Sequence, residues 1–346
     1  MKFQTIDSKQ VFQEKHMKVA VTGGSGHVGA NLVRALIDQK RQVRALVRKD
    51  TRGLEGLKIE KVQGEVTDKE SLVRCFKGVH TVFHCAAMIS IDSIDEPRVL
   101  ETNINGPKNV VEACLECGVK RLVHFSSIHA FCSNPGDEII DETRRLASDK
   151  NHFHYDRSKA LGQLEVLKGV KKGLNAVIVN PGAVIGPNDY KISRMGQVLL
   201  DIYHGKFPVY PNGGYNWVDA RDIVEGALAA EKMGRTGESY LLTGRWASFR
   251  ELATIIQNCT GKNTARMVSP VWTASLAVPF ALMKARITGE APLVTPMAIK
   301  SIKMHRYISH MKAADELGYR PRPLEGTIRD TIEWFKEKGM LNEHSN

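Results

Sequence analysis

Tyr155 and Lys159 stand four residues apart in Tyr155-Asp156-Arg157-Ser158-Lys159, which puts both side chains on one face of a helix, one turn apart. A phenol with a pKa of ~10 is a poor proton carrier at neutral pH. A neighbouring ammonium favours the phenolate and lowers that pKa, so the pair can exchange a proton with an alcohol or a ketone. The spacing alone recurs by chance, and its weight depends on what surrounds it. Ser126 and Ser127 follow the apolar run Arg121–Phe125, where a hydroxyl can hydrogen-bond a substrate oxygen beside the tyrosine. Nearer the start, Val21-Thr22-Gly23-Gly24-Ser25-Gly26-His27-Val28-Gly29 reads as G-x-G-x-x-G from Gly24 or as G-x-x-G-x-x-G from Gly23. Small residues there allow a tight turn and a close backbone approach to a pyrophosphate, which meets the free N–H groups of a helix N-terminus. This assigns Gly23, Ser25, Gly26, His27, Val28 and Gly29 to a dinucleotide cradle.

The second apolar run ends Val47-Arg48-Lys49, with Asp50 one step late. An acid at that tip holds the ribose 2′-hydroxyl of NAD. Arg48 suits a 2′-phosphate instead, so NADP is the expected cofactor, with NAD the alternative.

These residues need a scaffold that brings the ends of several strands together. Short apolar runs at Lys18–Thr22, Gln42–Val47, Ile59–Val62, Thr81–His84, Arg121–Phe125 and Ala176–Val179 read as strands. Helical stretches lie between most of them, at Lys69–Phe76, Val99–Cys117 and Arg157–Lys168 and from Val28 to Ile37. Strand alternating with helix predicts an α/β fold of the Rossmann type, a doubly wound parallel sheet with a smaller C-terminal substrate domain. Binding sites in such sheets lie beyond the carboxyl ends of the strands, where the cradle, the serines and Arg48 fall. The expected division is an extension at 1–16, a dinucleotide-binding domain at 17–186 and a substrate domain mainly at 187–346, with 216–232 returning to the first.

The 346 residues are 42% hydrophobic and 25% charged, ordinary for a globular chain and unlike a disordered or collagenous one. The net charge of +11 is spread thinly, with an excess over Lys300–Arg322. It reads first as a solvated surface and second as affinity for an anionic ligand; no nucleic-acid module is apparent. Cys114 and Cys117 resemble half a zinc site without a second half, and no metal is expected. The most apolar stretch, Val271–Met283, is too short and interrupted to span a bilayer; a buried or pocket-lining helix is expected there, with a membrane-surface contact as the alternative. A cytoplasmic location without integral membrane association follows as an expectation.

Taken together, the chain from Met17 onward resembles the extended short-chain dehydrogenase/reductase family, whose members include NAD-dependent epimerases and dehydratases. The stretches concerned are Thr22–Gly29, Gly64–Asp68, His84–Ala87, Asn103–Gly106, Ser126-Ser127, Tyr155/Lys159, Asn180–Pro187 and Asn216–Asp219. Asn188–Lys191, Glu316–Pro323 and Asp330–Phe335 are most similar to the branch of dihydroflavonol-4-reductases and 3β-hydroxysteroid dehydrogenases. The resemblance implies Ser127, Tyr155 and Lys159 as the catalytic set. It adds Glu65, Val66, Ala86, Ala87, Asn103, Pro181 and Val184 to the cofactor contacts, with Tyr155 and Lys159 also touching the cofactor, Lys159 at the nicotinamide ribose. Asn180 replaces the arginine that many sugar-nucleotide members carry before proline. A homodimer formed through the Val99–Cys117 helix, with Leu100, Val110, Val111 and Leu115, and the helix after Tyr155 is implied as well. The leading functional expectation is an NADP-dependent carbonyl reductase or alcohol dehydrogenase of a small-molecule substrate. The alternatives are a nucleotide- or lipid-linked sugar epimerase or dehydratase, and a non-catalytic NADP-binding sensor.

Overall fold

The computed structural model describes residues 17–89, 96–276, 278–288, 295–302, 304 and 306–341. The strands are β1 (Lys18–Thr22), β2 (Gln42–Val47), β3 (Glu60–Gln63), β4 (Thr81–His84), β5 (Arg121–Phe125), β6 (Ala176–Pro181), β7 (Ala183–Ile185), β8 (Tyr210–Pro211), β9 (Gly214–Asp219), β10 (Ser239–Leu242), β11 (Arg245–Ser248) and β12 (Val268–Ser269). Seven of them form one sheet in the order β10-β6-β5-β4-β1-β2-β3, with every neighbouring pair parallel.

A parallel strand covered on both faces must be apolar on both faces, which is why these runs are continuous rather than alternating. Val19, Val21, Phe83, Val123 and Val177 turn to one side, where α1 (His27–Asp38) lies. Ala20, Val82, Leu122 and Ile178 turn to the other. That second side is covered by α2 (Lys69–Phe76), α3 (Gly106–Glu116) and α4 (His154–Lys171). Helix α5 (Arg194–Tyr203) belongs to the smaller lobe, and α6 (Ala220–Met233) packs against α1 on the first side. A single π-helical turn, Glu101–Asn105, leads into α3.

The smaller lobe has its own core. Ile185, Leu199, Trp217, Leu252, Ile256 and Phe335 are buried together beneath the sheet β11-β9-β7, α7 (Phe249–Thr260) and the C-terminal helix Leu324–Glu337. The lobes are joined by ion pairs at the start of α6. Arg221 bridges Asp219 and Asp330 at 2.7 Å each, and Arg322 reaches Asp222 at 2.6 Å.

Three features differ from the sequence reading. Strand β10 was not expected; four residues, Ser-Tyr-Leu-Leu, add to the sheet beside β6 only because α6 has carried the chain back. Val110 and Val111 are buried in the core between α3 and the sheet, so they are not available to a dimer face, and Leu115 alone of that apolar set is exposed. Val271–Ser275 and Val278–Met283 are helical, but the large apolar side chains described there after Val271 face outward: Trp272, Phe280 and Met283, with Leu276 between the helices, are 57–69% exposed. Composition reported the apolar content of that segment but not which side of the protein surface it faces.

Candidate active site

The six strands from β1 to β6 end at one edge, and the residues singled out in the sequence lie just past those ends. Gly23 follows β1, Arg48 follows β2, and Glu65 and Val66 follow β3. Ala86 and Ala87 follow β4, Ser127 follows β5, and Pro181 closes β6, with Val184 in the adjoining β7.

The glycine loop is set by sterics. Gly23 has φ +72°, and a Cβ on it would lie 2.6 Å from the backbone nitrogen of Ala86. A Cβ on Gly29 would fall 2.1 Å from the Gly23 carbonyl oxygen, so α1 docks directly on the loop. Gly26 N-caps α1 without a side-chain hydrogen bond, and the first turn carries no acid. The exposed amides and the positive end of the helix dipole are therefore open to an anion. The close approach of backbone and the uncapped helix fit a dinucleotide pyrophosphate.

Its neighbours brace the cradle. Thr22 Oγ1 is 2.7 Å from His84 Nδ1 and accepts from the Ala86 N–H at 3.4 Å, tying the β1 and β4 ends together. The His27 ring turns away from the loop to the Gly186 and Pro187 carbonyls, at 3.1 Å each. His27 thus enters the cradle through its backbone and clips it to the segment after β7. Arg48 is exposed, as is Glu65, while Val66 is buried against Gly106. Asp50, the late acid, is taken by Arg52 at 2.8 Å, and that guanidinium holds its carboxyl down to about 2.

Ser127, Tyr155 and Lys159 meet at the end of β5, and all three are buried. Ser127 caps the short 3-10 turn Ile128–Ala130, accepting from the His129 N–H at 3.2 Å, and also hydrogen-bonds the Tyr155 phenol. Lys159 donates from Nζ to the Phe125 carbonyl at 3.1 Å. Burial pushes the Tyr155 phenol up to about 12, opposed by the Ser127 hydrogen bond. Burial also brings the Lys159 ammonium down to about 8. The sequence reading expected Lys159 to lower the tyrosine pKa. Here desolvation of the phenol outweighs any help from the lysine, whose ammonium is directed at the β5 carbonyl.

The support for this triad was largely missed in the sequence. Asn103 accepts from Met88 N–H at 2.8 Å, and donates to the Met88 carbonyl at 2.9 Å and to Ser158 Oγ at 3.0 Å. Its side chain thereby links the loop after β4 to the helix that carries Tyr155. Asn180, fully buried, donates to the Ser127 carbonyl at 2.9 Å and to Gln163 at 3.0 Å, which fixes Ser127 from behind. Asp156 accepts from His129 at 2.8 Å, and the His129 ring meets Tyr155 edge-on at 5.4 Å. Below Lys159, His84 and His124 pack at 5.1 Å, both held neutral chiefly by burial. The paired histidines in the sequence were the available signal, but their partners lie on other strands. Among the described residues, no group of three or more His, Cys, Asp or Glu side chains could hold a metal ion.

A parallel sheet with a glycine cradle at its first turn and a Ser–Tyr–Lys cluster at its fifth strand defines a nicotinamide-dinucleotide oxidoreductase of the Rossmann type. The profile of the NAD dependent epimerase/dehydratase family matches residues 19–242, and the chain belongs to that family, within the extended short-chain dehydrogenases/reductases. It is 31% identical to sterol demethylase protein B of Methylococcus capsulatus over 332 residues, 94% of this chain and 100% of that protein. It is 32% identical over 330 residues to a Synechocystis protein named as a dihydroflavonol 4-reductase, covering 93% of this chain and 95% of that one. Among solved structures, gox2253 superposes with a TM-score of 0.80 at 32% identity, covering 94% of this chain and 99% of that one. The chain is an NAD(P)-dependent oxidoreductase acting at CH–OH or C=O groups. Among the described residues, no helix is long and apolar enough to cross a membrane.

Proposed function

We propose that the protein is an NADP-dependent carbonyl reductase, running as an alcohol dehydrogenase in reverse, with Ser127, Tyr155 and Lys159 as its catalytic residues. The observation that carries this reading is the buried Ser127–Tyr155–Lys159 cluster at the β5 end, with a phenol that keeps its proton at neutral pH. When bound, the nicotinamide supplies the hydride. Tyr155 gives its proton to the substrate oxygen as that oxygen becomes an alkoxide. Ser127 donates a hydrogen bond to the same oxygen and keeps it in line with the phenol. The Lys159 ammonium, steadied by the Phe125 carbonyl, offsets the charge left on the tyrosine. The cradle of Gly23, Ser25, Gly26, His27, Val28 and Gly29 binds pyrophosphate, and Glu65, Val66, Ala86, Ala87, Asn103, Pro181 and Val184 line or brace the rest of the cofactor site.

The choice of NADP rests on the β2 tip. Arg48 and Lys49 are exposed there, and the nearest carboxylate, Asp50, is already paired with Arg52. A 2′-phosphate finds cations at this point, whereas a ribose 2′-hydroxyl finds no free acid. The choice of a less polar substrate rests on Asn180. Its amide is committed to Ser127 and Gln163, so the position where many sugar-nucleotide members carry an arginine holds a buried neutral side chain. The names of the two relatives at 31–32% identity, sterol demethylase protein B and a dihydroflavonol 4-reductase, favour the same class.

The test is a stoichiometry. Purified protein is assayed for bound nucleotide and then given NADPH with a panel of aldehydes and ketones. A reductase consumes one NADPH per alcohol formed. Tightly retained nucleotide with isomerised or dehydrated sugar substrate and no net NADPH loss would contradict the proposal and point to an epimerase or dehydratase.

A further inference from the structure

We infer that the helical pair Val271–Ser275 and Val278–Thr288 is a docking surface for an anionic lipid bilayer, holding the protein at the membrane face without crossing it. Trp272, Leu276, Phe280, Met283 and Ile287 are 57–78% exposed and follow one another at intervals of four, four, three and four residues. Phe280, Met283 and Ile287, all on the helix Val278–Thr288, recur at the spacing of one helix face, and Trp272 and Leu276 lie on and just after the helix before it. Met267 and Val268, immediately before, are exposed too, at 78% and 39%. Single exposed apolar side chains need no explanation, but a run of large ones in a single segment does. The pair is anchored rather than loose: Val271 is buried in the core of the smaller lobe, and its helix packs against the helix Pro296–Ser301.

Charge identifies the occupant. From Lys262 to Arg306 the sequence holds seven lysines and arginines against one acid, Glu290, so more than half of the net charge of +11 lies in and around this apolar segment. Large apolar and aromatic side chains flanked by cations are the composition of an interfacial helix, whose apolar face enters the headgroup boundary while the cations meet anionic lipid. A second copy of this chain fits poorly, because it would bring the same cations against themselves. The segment also leads to the catalytic helix. Lys300 stacks on Phe153, the residue before α4, with its Nζ 4.8 Å from the ring centroid. Arg306 stacks on Trp246 at 4.6 Å, and Ser301 hydrogen-bonds Tyr215 at 3.0 Å. A bilayer docked on Trp272–Ile287 would therefore adjoin the elements bordering the start of the Tyr155 helix. The inference does not depend on which carbonyl is reduced.

The experiment is flotation of the full-length protein with vesicles of phosphatidylcholine alone and of phosphatidylcholine mixed with phosphatidylglycerol, at low and physiological salt. Tryptophan emission is followed in parallel, since Trp272 is 65% exposed whereas Trp217 and Trp334 are buried. The expected result is flotation with the anionic vesicles that weakens as salt rises, with a blue shift that Trp272→Phe removes. Phe280→Ser combined with Ile287→Ser should weaken vesicle binding by about tenfold or more, with NADPH affinity unchanged as the check on folding. Protein left in the soluble fraction with anionic vesicles would overturn the inference. So would equal binding to neutral vesicles, or a double variant that retains NADPH affinity and floats like the wild type. A wild-type dimer that the same substitutions dissociate would assign the face to a second copy instead, and would also overturn it.

Discussion

Lys159 is a charged side chain held where charge is costly. Its pKa falls from the ordinary 10.5 to about 8, with burial as the main cause. At neutral pH the folded protein therefore carries an ammonium that its surroundings penalise by on the order of 3 kcal/mol. Between about 8 and the ordinary value the unfolded chain holds a proton that the folded chain has released, so stability rises with pH across that window. Lys159→Met should then raise the melting temperature of the cofactor-free protein at neutral pH while abolishing reduction, a trade of stability for function that thermal unfolding and an activity assay check together. Arg48 makes a different prediction, because it is exposed just past the end of β2. Arg48→Asp should leave the melting temperature unchanged and reverse the order of the NADPH and NADH dissociation constants, as read by fluorescence titration. Equal wild-type affinities for NADPH and NADH would remove the basis for the NADP assignment. That Ser127, Tyr155 and Lys159 would gather at one place was legible in the sequence because each follows a recognisable strand or opens a helix. The pKa of Tyr155 was not legible. Spacing reveals a nearby ammonium, but the burial that outweighs it is a property of the folded whole.

Helix α4 carries both Tyr155 and Lys159, so its position decides the site geometry. It approaches the π-helical turn Glu101–Asn105 so closely that a Cβ on Gly162 would fall 2.1 Å from the Asn103 carbonyl oxygen. Gly162→Ala must push the helix away from Asn103, the residue that also ties Ser158 to the loop after β4. An overpacked contact of this kind costs about 1–3 kcal/mol. The variant should lose stability by that amount in denaturant unfolding, and should lose kcat more than NADPH affinity, because the glycine cradle lies on another element. Wild-type stability and turnover would show that the helix–turn contact does not position the triad. Local pattern was a good guide to elements such as β1, β4 and α2, whose apolar runs and caps lie within a few residues of one another. It failed for β10, because the four residues Ser239–Leu242 become a strand only by pairing with Ile178–Pro181, about sixty positions earlier.

At the scale of the whole molecule, one sheet edge gathers contributions from six strands spread over more than 150 residues, and β7, just after β6, starts the sheet of the smaller lobe. The parallel sheet was legible because burial on both faces writes continuous apolar runs into the sequence. The orientation of Val271–Met283 was not, because an apolar helix reads alike whether it faces a core or the outside. A dimer through α3 and α4 would have to be built on Leu115 and charged side chains such as Glu112 and Lys168 rather than on Val110 and Val111, which the monomer core encloses. The central claim is that Tyr155 is the proton donor of a carbonyl reductase. The measurement that tests it most directly is steady-state NADPH oxidation by wild type and Tyr155→Phe on a carbonyl substrate identified in the panel, with NADPH affinity measured on both. General acid catalysis is worth about 10²–10⁴-fold, so Tyr155→Phe should lower kcat by that factor and leave NADPH affinity within a few-fold. A Tyr155→Phe protein that reduced the same substrate at the wild-type rate would contradict the account.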